Sequence, residues 1–207
     1  MTKTLVTRRG ALRTLGAGAG AMAVLPFLSD EGALAFAALQ TTKAAPSLKV
    51  LSASEYASLE ALAEAIIPTD ERSPGAKEAR VADYVDLYLS EGDAAQRQTW
   101  TEGLAALDAE AKTRFGGSTF VALGPPQVES LLGDISKDRR GDPASTPTKL
   151  EAFFATAKEA TIYGYYTSEI GIHKELHYQG NSILQEFVGC LTVDGKDCPY
   201  CGQKAEA

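Results

Sequence analysis

The residues best equipped for metal or redox chemistry are three cysteines, Cys190, Cys198 and Cys201, and two histidines, His173 and His177. Cys198-Pro199-Tyr200-Cys201 has the spacing of a redox dithiol, a haem attachment site or half a zinc site, and each reading lacks a part. A dithiol needs a thioredoxin-like setting, which the short segment after Cys201 does not supply. A c-type haem needs His directly after the second cysteine, where Gly202 stands. Structural zinc takes four ligands, and Cys190 is the one further thiolate. His173 and His177, four apart, are expected to share a helical face. His173-Lys174-Glu175-Leu176-His177 lacks the Glu that a zinc-protease motif places after its first His, and no third ligand is evident. An odd cysteine count leaves one thiol over after a single bridge. The favoured reading is a disulfide-stapled tail with one cysteine reaching a second polypeptide; a small metal-binding or redox protein using Cys190, Cys198, Cys201 and a histidine is the alternative.

Other chemistry is sparse. Asp83 and Asp86 could act as a carboxylate pair, but solvated charges on a helix explain them better. No Gly-x-Gly-x-x-Gly, Walker or Gly-x-Ser-x-Gly pattern occurs beyond residue 37. Gly16-Ala17-Gly18-Ala19-Gly20 follows no strand and lies inside the export signal described next. The favoured reading therefore gives the chain no catalytic site, no metal site and no cofactor site of its own.

The N-terminus is basic, with Lys3, Arg8, Arg9 and Arg13, and leads into an uncharged run from Leu15 to Leu28. That layout is a secretory signal, too short and glycine-rich for a membrane span. Thr7-Arg8-Arg9-Gly10-Ala11-Leu12-Arg13 looks like a twin-arginine export motif, with Ala11 where a large aromatic is usual. Arg8, Arg9 and Leu12 are its recognition residues. Ala35 and Ala37 put small side chains where a signal peptidase reads, predicting cleavage after Ala37 and a periplasmic protein. The twin-arginine route moves folded cargo, so this chain or its partner is expected to mature before crossing. Membrane contact is then limited to export or to a partner.

Removing residues 1–37 takes away four basic and two acidic groups, moving the net charge from -7 to -9. That acidic balance argues against nucleic acid as a ligand, because it is bound by neutralising phosphates with basic side chains. The cluster Lys137, Arg139, Arg140 reads as a solvated loop.

The positioning elements are helices. Residues 38–50 are expected to be a linker. Ser52-Ala53-Ser54-Glu55 is a capping box, and Tyr56, Leu59, Leu62, Ala63, Ile66 and Ile67 form one buried face up to Pro68. Val81, Tyr84, Val85, Tyr88 and Leu89 make the next stripe, closed by Gly92. Asp93 with Gln96 caps a third helix carrying Trp100, Leu104, Leu107, Ala111 and Phe115. Pro125 and Pro126 open a fourth, and Thr146-Pro147 a fifth, with Phe153, Phe154, Ala157 and Thr161 inward. No alternating strands appear. The expectation is an all-α fold: one irregular helical domain over 51–189 with about five helices and long loops, then a cysteine-containing tail over 190–207.

Ile66-Ile67-Pro68-Thr69-Asp70, Ser73-Pro74-Gly75-Ala76, Val81-Ala82-Asp83-Tyr84-Val85-Asp86, Phe153-Phe154 and Tyr163-Gly164-Tyr165-Tyr166-Thr167-Ser168 through Gly180-Asn181 together resemble the gluconate 2-dehydrogenase subunit 3 family. The likeness spans about residues 50–190 and does not reach Cys198-Pro199-Tyr200-Cys201. It implies a non-catalytic small subunit of a periplasmic dehydrogenase. The large subunit of such a complex is an FAD-containing oxidoreductase of the glucose-methanol-choline type, often with a cytochrome c partner, acting on a sugar, sugar acid or polyol. The small subunit assists its folding and carries it outward. Tyr163, Tyr165, Tyr166, His173, His177 and Tyr178 combine apolar bodies with polar tips, the composition of a partner interface, although a polar-aromatic core would use the same residues.

Overall fold

The computed structural model describes residues 27–42, 48–136, 146–178 and 180. It divides into a unit ending at His177 and a second beginning at Tyr178, of which Tyr178 and Gly180 are described. The first unit is all helical among its described residues. Its elements are α1 (Asp30–Thr41), α2 (Ala53–Ile66), α3 (Val81–Glu91), α4 (Ala94–Arg114), a 3-10 turn (Phe120–Ala122), α5 (Pro125–Ile135), α6 (Lys149–Tyr166) and a π-helical turn (Ile170–Glu175). No described helix is long and apolar enough to cross a membrane.

Local chemistry sets most boundaries. Ser52 Oγ accepts from the Glu55 amide while Glu55 reaches back to the Ser52 amide at 2.8 Å, closing the expected capping box of α2. The Ser52 contacts hold the Glu55 carboxyl below its usual pKa. Asp93 Oδ1 accepts from the Gln96 amide at the start of α4. Pro125 and Pro126 open α5 behind a Gly124 amide bonded to Gln127 Oε1. α6 begins at Lys149, two residues later than Pro147, because Thr148 and Glu151 form a reciprocal cap of their own.

α3 is the centre of the unit, packed by α1, α2 and α6. Its whole run from Val81 to Leu89 is buried, not one stripe, as expected of a helix enclosed on all sides. α4 lies on α2 and α6 and buries Trp100, Leu104, Leu107 and Ala111. The Trp100 and Phe153 rings meet edge-on at 5.6 Å, and a side chain at Gly103 would collide with the Phe153 ring. Arg114 links α4 to α5 through Asp134 at 2.7 Å.

The first helix departs from the expected organisation. Residues 30–41, read as the end of a signal plus the start of a linker, form a capped helix whose Phe36 is buried against α3. Ala35 and Ala37 sit inside that helix.

Candidate partner-docking face

The family-like loop between α2 and α3 is built on hydrogen bonds that its residue types dictate. Glu64 Oε1 accepts from the amide and hydroxyl of Thr69, at 3.0 and 2.9 Å, and Glu64 Oε2 accepts from the Lys77 amide at 2.9 Å. The Thr69 hydroxyl accepts from the Gly75 amide at 2.9 Å. Asp70 Oδ1 takes the amides of Arg72 and Ser73, and the Ser73 and Arg72 amides lower the Asp70 pKa. A Cβ at Gly75 would lie 2.5 Å from both the Thr69 nitrogen and a Glu64 oxygen, so the loop closes only around glycine.

Tyr165, on the last turn of α6, locks this loop. Its hydroxyl donates to the Pro74 carbonyl at 2.8 Å and lies 2.7 Å from Ser73 Oγ, which leaves the serine as donor to the phenol oxygen. Burial pushes the phenol pKa up, keeping it protonated and able to donate. Tyr165 is 2% exposed. Expected at a partner surface, it belongs instead to the polar-aromatic core, because the loop it anchors sits directly over α6.

The neighbouring aromatics face differently. Tyr166 is 38% exposed and meets the Tyr165 ring edge-on at 5.2 Å. Ile162, one turn earlier and therefore on the same side of α6, is also exposed. Tyr163 is half-buried, with the Phe27 ring edge-on at 4.8 Å. After α6, Ser168 is buried, donates to the Tyr165 carbonyl at 2.6 Å and accepts from the Gly171 amide at 3.0 Å, turning the chain into the π-helix. His173 lies on that turn and His177 beyond it, both exposed. The expected shared helical face for the two histidines is not formed: the helix ends at Glu175 and His177 has φ 48. Tyr178 is exposed and belongs to the second unit.

Asp83 and Asp86 are buried, not solvated. Asp86 accepts from the amides of Lys49, Val50 and Leu51 at 2.6, 3.0 and 2.8 Å. Asp83 pairs with Arg80 Nε at 2.8 Å and accepts from Tyr56 at 3.1 Å. Burial, then the Asp83 charge, pushes the Tyr56 pKa up, so this tyrosine too remains a donor. Arg80, held at φ 57, also donates to the carbonyls of Leu39 and Thr42. Asp86 is thus committed to backbone amides, and Asp83 to the Arg80 guanidinium and the Tyr56 hydroxyl.

The export residues Arg8, Arg9 and Leu12 and the cysteines Cys190, Cys198 and Cys201 lie outside the described residues. Within the described residues no three His, Cys, Asp or Glu side chains are grouped to hold a metal. Ile162 and Arg80 were not singled out from sequence, and Ser73 was quoted only as part of the loop. The Ser-Pro-Gly element marked the loop, and an isoleucine four before a tyrosine was the one signal for a second exposed apolar residue on the Tyr166 side of the helix.

Searches of curated proteins and of solved structures give no match. The family model described as gluconate 2-dehydrogenase subunit 3 matches residues 53–182, taking in α2 through the π-helical turn, the Glu64–Gly75 loop and its Tyr165 lock. On that match, the chain belongs to the gluconate 2-dehydrogenase subunit 3 family and is a subunit of a multi-subunit dehydrogenase.

Proposed function

We propose that the chain is the non-catalytic small subunit of a periplasmic, FAD-dependent dehydrogenase of the glucose-methanol-choline type, acting on a sugar or polyol. It assists folding of the large subunit and takes it through the twin-arginine pathway on the signal carrying Arg8, Arg9 and Leu12. Hydride abstraction belongs to the flavin of the large subunit, and a cytochrome c is the further partner that would receive the electrons.

The observation that carries this reading is the family match over residues 53–182. Two features support it. The buried carboxylates of α3 are spent on backbone amides and on an arginine, leaving them no role as acid or base. Ile162 and Tyr166 present apolar surface on one side of α6, with a tyrosine whose ring and hydroxyl suit a partner contact. The test is recovery of the tagged chain from its native host followed by an absorption spectrum. A flavoprotein co-eluting in a fixed ratio, with dehydrogenase activity absent from the isolated chain, is expected; turnover by the isolated chain overturns the reading.

A further inference from the structure

We propose that α1 is a permanent element of the folded subunit, and that any removal of the export signal cuts the chain before Phe27 and not after Ala37. The processing half of this statement rests on the export reading above; the structural half does not.

The helix is fastened at three places. At its start, the Ser29 amide donates to Glu91 Oε2 at 2.7 Å and the Ser29 hydroxyl to the other oxygen of the same carboxylate. Leu28 beside it is buried. A Cβ on Gly32 would meet the Glu91 carboxylate, so a side chain there would displace the oxygens that hold Ser29. In the middle, Phe36 is 3% exposed and meets the Tyr84 ring edge-on at 5.2 Å. At its end, Arg80 donates to the carbonyls of Leu39 and Thr42 at 2.7 and 2.9 Å while Asp83 fixes its guanidinium. Gln40 also accepts from the Glu169 amide at 2.5 Å, tying α1 to the residue before the π-turn.

A peptidase hydrolyses an extended, accessible segment, and a packed helix reaches that state only by opening locally. The Ala37–Ala38 bond lies within α1, one residue from the buried Phe36 ring. Cutting there would strip Phe36 from Tyr84 and Ser29 from Glu91, and leave Arg80 holding a stub of one turn.

Two measurements on the full chain decide the matter. First, the chain is produced in a bacterium with an active twin-arginine translocase, recovered from the periplasm, and its intact mass and N-terminal sequence determined. A chain beginning at or before Phe27 is expected, and one beginning at Ala38, or anywhere from Leu28 onward, overturns the proposal. Second, hydrogen exchange is followed on the purified full chain. The amides of residues 34–38 should exchange on the order of a hundredfold more slowly than in an unstructured peptide. Exchange at the unstructured rate overturns the proposal. Failure to reach the periplasm would count against export alone, since the exchange measurement needs no translocation.

Discussion

Ser73 and Tyr165, separated by 92 positions, share a 2.7 Å hydrogen bond that ties the α2–α3 loop to the last turn of α6. The same phenol reaches the Pro74 carbonyl, so one side chain satisfies two groups of a loop that has no helix of its own. Tyr165→Phe keeps the ring and removes the hydroxyl. The expected cost is about 1 kcal/mol, rising toward about 3 kcal/mol if the buried Ser73 hydroxyl finds no other partner. Urea unfolding measures it, with a lower midpoint at unchanged slope.

The adjacent tyrosine should behave oppositely. Tyr166→Ala is expected to leave the unfolding midpoint nearly unchanged, while complex recovery weakens by roughly 5- to 30-fold, the effect of about 1–2 kcal/mol at an interface. Tyr165→Ala should instead unfold the subunit or strongly destabilise it, at about 3–5 kcal/mol as for other buried aromatics. Circular dichroism of each variant beside a pull-down separates the two. Equal loss of helicity in both would remove Tyr166 from the docking face.

Gly103 lets α4 meet the Phe153 ring, which is itself buried and cannot swing away. Gly103→Ala improves intrinsic helix propensity by about 1 kcal/mol, yet the clash should outweigh it. A net loss of about 1–2 kcal/mol is expected, seen as a melting temperature lower by roughly 2–8 °C.

Asp86→Ala leaves three backbone amides without their acceptor, one of them buried. The expected loss is about 2–3 kcal/mol. Faster hydrogen exchange confined at first to residues 49–51 would locate the damage.

The Glu55 cap should give the subunit an acid-sensitive component. Its folded pKa lies below the ordinary carboxylate value, chiefly through the Ser52 side chain, so the proton binds the unfolded chain more readily. The stabilisation is fully present above about pH 4.3 and is lost as pH falls through the lowered folded pKa. Glu55→Ala should cost roughly 0.3–1 kcal/mol at neutral pH, since the cap is solvent-exposed. The gap between the two proteins should close in acid, and a gap independent of pH would contradict the assignment.

What could be read from sequence was local. The Ser52 to Glu55 box, the Asp93 cap, the Gly92 stop and the paired prolines of α5 each depend on residues a few positions apart, and each was legible. The inward residues of α2 and α4 followed from spacing. What depended on distant partners was not legible. Asp83 and Asp86 looked solvated because Asp86 is satisfied by the amides of residues 49–51 and Asp83 by Arg80 and Tyr56, partners that nothing in the α3 pattern announces. Tyr165 and Tyr166 are equivalent by composition; helical phase and a loop 92 residues away separate them. The π-turn removed the regular spacing on which a shared face for His173 and His177 depended. α1 was hidden by its own composition, since alanine, leucine and phenylalanine serve an export segment and a packed helix equally.

The most direct test of the central claim is the distribution of the proposed FAD-containing large subunit between cytoplasm and periplasm when Arg8 and Arg9 of this chain are both changed to lysine. The result expected on the proposed function is that the large subunit is retained in the cytoplasm together with this chain, still folded and still holding the flavin proposed for it. A large subunit that reaches the periplasm undiminished would contradict the claim that this chain carries it there.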